Sequence, residues 1–137
     1  MNAARLYTPE VLAAAMRLAE FPLRDDQDLR GQARSRACGS NLEVGLALDE
    51  TGAVRDVGMM VHACAIGQSS AAIFAQGVAG KTGEEIERTR DELVDWLERD
   101  GPMPDWPGLA LIEPARAHPG RHGAIVLAWQ AAARALA

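Results

Sequence analysis

The chain has 137 residues, 48% of them hydrophobic and 24% charged, which predicts one domain over 1–137 burying roughly two-thirds of the surface its unfolded form exposes. A net charge of −5 excludes a general nucleic-acid surface, because that needs a basic stripe for counterion release. No apolar run approaches the ~18 residues of a membrane span.

Met1-Asn2-Ala3-Ala4-Arg5 lacks the apolar stretch of a secretory leader. Two cysteines without an export signal lead us to expect a reducing cytoplasm, where thiols stay free or bind metal. Thr8 can cap a helix that Pro9 and Glu10 favour at its first turn. Val11, Leu12, Ala15, Leu18 and Ala19 follow at helical spacing, and Phe21-Pro22 ends the run. Leu23 to Arg30 is highly charged and reads as a loop. Gln32 to Arg36 reads as a short strand. Asn41 to Leu48 alternates, with Leu42, Val44, Leu46 and Leu48 on one face, and Asp49-Glu50-Thr51-Gly52 turns the chain back into Val54 to Val61. Together these segments predict a three-stranded antiparallel sheet, apolar on one face.

Small and apolar residues from Ile66 to Val78 predict a packed helix ended by Gly80. Thr82-Gly83-Glu84-Glu85 is a capping-box pattern. Its helix either runs to Glu98 or breaks near Thr89-Arg90, and an ideal helix cannot bury both Val94 and Trp96. Gly101 to Gly108 is a rigid, proline-rich connection. A short helical piece over Leu109 to Ala115 precedes His118-Pro119-Gly120-Arg121-His122. The final helix carries Ile125, Leu127, Trp129, Ala132, Ala133 and Leu136. The fold class is therefore α+β, a small three-stranded antiparallel sheet with helices packed mainly on one face.

The chemistry-bearing groups follow from this layout. Cys64 lies where a strand hands over to a helix start, and unpaired N–H groups and the helix dipole favour a thiolate there. Cys38 stands in a second turn, Arg36-Ala37-Cys38-Gly39-Ser40. Free cysteines are often buried packing residues, but packing at turns beside glycine is more often served by Ala or Val. The hairpin between the two returns the chain to near its origin. His62 shares a strand face with position 64 if the strand persists, a workable pair of ligands; at a strand end a histidine is as readily an exposed hydrogen-bonding group. His118 and His122 are four apart, and His122 in a helical first turn is the better candidate ligand. Arg121 brings a cation to any thiolates nearby. Gly77 to Thr82 lacks the spacing and the preceding strand of a P-loop. Ser69-Ser70 has no nucleophile-elbow pattern.

With these residues in view, the chain resembles the NifU/IscU-like iron–sulfur cluster scaffold family, including its SufU branch. Tyr7-Thr8-Pro9-Glu10-Val11 is similar to the family's opening helix, and Ala37-Cys38-Gly39-Ser40 to its first ligand turn, a Cys-Gly-Asp. Ala63-Cys64-Ala65-Ile66-Gly67-Gln68-Ser69-Ser70-Ala71 resembles the second, and Gly80-Lys81-Thr82 the turn after that helix. Arg121 to Trp129 is similar to the SufU-type Arg-x-x-Cys-x-x-Leu-x-Trp segment. Two positions depart: the third family cysteine falls on Ala124 and the aspartate on Ser40.

The resemblance implies a NifU/IscU N-terminal-like fold and a non-enzymatic scaffold or carrier. Its cargo or cofactor would be a [2Fe–2S] cluster or zinc, held by Cys38 and Cys64 with His122 or His62 standing in for the missing ligands. Cysteine desulfurase and iron–sulfur recipient proteins are the implied partners, and no nucleic acid or membrane is expected. Cys₄ ligation also allows a cluster shared across a homodimer. The alternatives are a metal-free module docking on a desulfurase, and a sulfur relay carrying a persulfide.

Overall fold

The computed structural model describes residues 6–137, so the reading of Met1–Arg5 as lacking a leader lies outside the described residues. Thr8 caps helix α1 (Pro9–Met16), its Oγ1 accepting the Val11 N–H at 3.1 Å. The helical run then tightens into a 3₁₀ turn over Arg17–Glu20. Strands β1 (Leu29–Arg34), β2 (Asn41–Leu48) and β3 (Val54–His62) form one antiparallel sheet in the order β1-β2-β3. In the β2–β3 turn, Asp49 Oδ1 accepts the N–H groups of Thr51 and Ala53, and Gly52 takes the positive φ of 88°.

β1 starts at Leu29, three residues ahead of the expected strand over Gln32 to Arg36, and stops at Arg34. The segment from Leu23 to Asp28 is loop as expected, and only Leu29 and Arg30 join the strand, Arg30 pairing on the outer face with Glu43 at 3.4 Å. Buried Gly31 and Ala33 supply the inner face. An added Cβ on Gly31 would lie 2.0 Å from the Ala131 carbonyl oxygen, so only glycine lets the last helix approach the strand this closely.

Helices α2 (Ala65–Gly77), α3 (Gly83–Glu98) and α4 (Pro119–Leu136) follow, with a 3₁₀ helix over Leu109–Ala117 ahead of α4. α3 is continuous and opens on the expected reciprocal capping box of Thr82 and Glu85. It buries Trp96 and leaves Val94 half-buried. α4 lies against the inner sheet face and touches α2 and α3. Phe74, Trp106 and Trp129 meet there with ring centroids 5.2–5.6 Å apart. Burying each of these large side chains contributes on the order of 1.5–3 kcal/mol.

The outer sheet face is covered at one end only. Gly45 and Gly58 are register partners in β2 and β3. Pro22, Leu23 and the fully buried Gln27 lie over them, where a Cβ on Gly58 would fall 2.3 Å from Gln27 Oε1. The other end of that face stays open. The architecture is thus α+β, a three-stranded antiparallel sheet with its helices on the inner face.

Candidate functional site

The sheet register decides what comes together. Asn41 pairs with Arg34 on one side and with His62 on the other. The β1–β2 turn holding Cys38 and the β3–α2 junction holding Cys64 therefore share one end of the sheet. In the turn, the Ser35 N–H donates to the Ser40 carbonyl at 2.8 Å and the Gly39 N–H to the Ser35 carbonyl at 3.0 Å, with Gly39 at φ 72°. Cys64 is the N-cap residue of α2 in extended conformation, and its side chain makes no capping hydrogen bond. Its carbonyl accepts the Gln68 N–H at 2.9 Å. Both thiols are free, Cys38 exposed and Cys64 half-buried.

Two serines lie against Cys38, and an arginine acts on both thiols. Cys38 Sγ lies 3.0 Å from Ser40 Oγ and 3.5 Å from Ser35 Oγ, and both serines are buried. Partial burial pushes the Cys38 thiol up. The Ser40 and Ser35 hydroxyls, the Ser40 backbone and the charge of Arg121 outweigh it and hold the thiol below its ordinary range. Arg121, in the first turn of α4, interacts electrostatically with both Cys64 and Cys38. Its Nη2 donates to the Tyr7 hydroxyl at 3.2 Å, and this bond is the foremost influence raising the guanidinium pKa. Its Nε is buried without a hydrogen-bond partner among the described residues.

α4 also docks directly on the ligand turn. A Cβ on Gly123 would fall 2.3 Å from Ser35 Oγ. Ala124 is buried and faces Gly67 in the first turn of α2, where an added Cβ would stand 3.2 Å from the Ala124 methyl carbon. The end of the sheet, the start of α2 and the start of α4 thus converge on Cys38, Cys64 and Arg121.

His122 faces α3 and the turn before α4. Its Nδ1 lies 3.0 Å from Glu98 Oε1 and its Nε2 2.7 Å from the Arg116 carbonyl oxygen, within a buried environment. Both ring nitrogens lie against protein oxygens, and the contact to Glu98 ties α4 to α3. His62 closes β3 and is exposed. It lines a groove on the open outer face with Arg34, Glu43, Met60 and Arg134, whereas Arg121 reaches the thiols from α4 on the inner side. β3 ends at His62, two residues before Cys64, which caps α2. Among the described residues no three His, Cys, Asp or Glu side chains gather as a metal-holding group. The donor set therefore does not fit a closed four-ligand zinc or [2Fe–2S] site within one chain.

Sequence points to both cysteines and to Arg121 as candidates, but gives no sign of Tyr7 beside Arg121 or of Ser35 beside Cys38. Tyr7 is 114 positions from Arg121, and nothing local announces such a contact. Among the described residues no helix is long and apolar enough to cross a membrane.

A small antiparallel sheet with one helical face, carrying two free thiols at its end, defines the class of α+β fold. No protein-family model matches the sequence, and no curated protein is significantly similar to it. The fold has clear counterparts among solved structures. The crystal structure of a nitrogen-fixing NifU-like protein (N-terminal) from Brucella abortus superposes with a TM-score of 0.84 at 29% identity, covering 97% of this chain and 95% of that one. A second, from Fervidobacterium islandicum and assigned as an iron–sulfur cluster assembly scaffold for the SUF system, gives a TM-score of 0.77 at 17% identity over 95% of this chain and 96% of that one. The chain has the NifU/IscU-like fold.

Proposed function

We propose that this protein is an iron–sulfur cluster assembly scaffold or carrier of a reducing cytoplasm, and that Cys38 and Cys64 bind its cargo. The observation that carries the reading is the convergence of both free thiols on Arg121 at one end of the sheet. The fold, matched over nearly the full length of a NifU-like protein, supports it. Thiolates are soft ligands suited to the iron of an iron–sulfur cluster, and a cation beside them favours the charged form.

Anaerobic reconstitution with ferrous iron and sulfide, followed by metal and sulfide analysis, tests this. The parent is expected to retain both, and Cys38→Ser and Cys64→Ser each to lose most of them. Equal retention by the variants sinks the assignment of these residues. A parent that takes up neither leaves a module for docking on a desulfurase.

One observation favours a second reading, sulfur relay. Cys38 is exposed and its thiol is held low, the state that attacks sulfur. Its thiolate would attack the outer sulfur of a persulfide on a cysteine desulfurase. The desulfurase S–S bond breaks, its thiolate leaves, and Cys38 becomes the persulfide. Intact-protein mass spectrometry after incubation with a desulfurase and cysteine is expected to show one added sulfur, absent from Cys38→Ser. An unchanged parent mass excludes the relay.

A further inference from the structure

The outer sheet face carries a second cluster of polar side chains, on the side away from Arg121. Register sets Arg34, Asn41 and His62 in one cross-strand row and Gln32, Glu43 and Met60 in the next. All six line one groove of about 440 Å³. Arg134 closes its edge from the last turn of α4, where its Nη1 donates to the Gln32 carbonyl at 2.7 Å.

The charge in this groove runs against that of the chain. The molecule carries −5 overall. Here two guanidinium groups meet one carboxylate, and that carboxylate, Glu43, pairs with Arg30 at 3.4 Å. Neither Arg34 nor His62 spends its side chain on a hydrogen bond or ion pair among the described residues. Arg134 spends one N–H on Gln32, which leaves the rest of its fork for a carboxylate. Met60, 53% exposed, adds an apolar contact.

Spacing selects the ligand. Arg34 and the anchor of Arg134 at Gln32 are two residues apart on β1, about 6.6–6.8 Å along the strand. Alternate side chains of an extended peptide repeat at that same distance and share one face. A small ion in so open a groove would keep most of its surface in water, whereas small-molecule sites bury most of theirs. We infer that this groove binds an extended acidic segment of a partner protein, its carboxylates at alternate residues paired to Arg34 and Arg134. The segment lies along β1, and the Asn41 amide and His62 ring offer further hydrogen bonds beside Arg34. The groove lies on the face opposite Arg121, so its ligand is independent of the cargo reading.

The test titrates the isotope-labelled full chain, followed by NMR, with two capped peptides of equal charge. One alternates glutamate with threonine, and the other has the same glutamates contiguous. The alternating peptide is expected to shift the amide resonances of Arg34, Asn41 and His62. It is also expected to bind at least ~3-fold more tightly than the contiguous one, a difference the size of one exposed charge pair. Arg34→Gln and Arg134→Gln, folded by circular dichroism, are each expected to weaken it by about 3-fold. Arg88→Gln makes the same charge change on the exposed surface of α3 and is expected to leave binding unchanged. Equal weakening by Arg88→Gln, or equal affinity for the contiguous peptide, reduces the effect to net charge and overturns the inference. Shifts confined to other parts of the chain, no binding at millimolar peptide, or displacement of the peptide by equimolar inorganic phosphate overturn it as well.

Discussion

Hydroxyl groups tune the exposed thiol of this site. Ser40 and Ser35 present hydroxyls to Cys38 Sγ, and Arg121 adds a positive charge from α4. Hydrogen bonds to the charged form favour it, so removing one must move the titration upward. In a Cys64→Ser background, where Cys38 is the only thiol, Ser40→Ala and Arg121→Gln are each expected to raise the apparent pKa read from iodoacetamide rates against pH. Below that pKa the variants alkylate more slowly, and well above it they match the parent. Superimposable profiles would show that neither group acts on the thiolate. His122 makes a contrasting case. Losing its bonds to Glu98 and the Arg116 carbonyl should cost about 1–3 kcal/mol in denaturant unfolding of His122→Ala, with iron and sulfide per chain unchanged. A large drop in loading by folded His122→Ala would return it to the ligand set. Its role was illegible in sequence because a spacing of four residues from His118 suggests a shared helix face, while the groups that hold the ring come from Glu98 and Arg116.

Elements were legible where one face is buried and one is wet. β2 alternates in sequence, β3 returns from it as a largely apolar run, and their turn carries its glycine at the positive φ. The α3 capping box was readable because its two side chains are three residues apart. The start of β1 was hidden because its outward positions, Arg30, Gln32 and Arg34, are polar and its inward ones, Gly31 and Ala33, are too small to mark a strand. Those small residues report a contact with α4 that no local pattern encodes. Gly123 does the same at the site, since it lets α4 rest against Ser35. In Gly123→Ala the new methyl group collides with the Ser35 hydroxyl. The expected result is a loss of about 1–3 kcal/mol in stability from overpacking, together with slower Cys38 alkylation near neutral pH as Ser35 is displaced. Unchanged thiol kinetics in folded Gly123→Ala would separate the helix packing from the tuning of Cys38.

At the scale of the whole molecule, α4 joins the parts. It seals the sheet through Gly31, meets α2 through Ala124 and Gly67, and delivers Arg121 to both thiols. Ala124 stands where the resembling family carries a further cysteine, and its methyl carbon lies 3.2 Å from where a Cβ on Gly67 would stand. The start of α4 is therefore closely packed against the start of α2, the helix that Cys64 caps. Ala124→Cys is expected to cost about 1–3 kcal/mol in denaturant unfolding from overpacking. Folded, it is expected to retain more iron and sulfide per chain than the parent after reconstitution and desalting, because a third thiolate then comes from the same chain. Should loaded Ala124→Cys keep the parent's iron-to-chain ratio, position 124 does not reach the cargo.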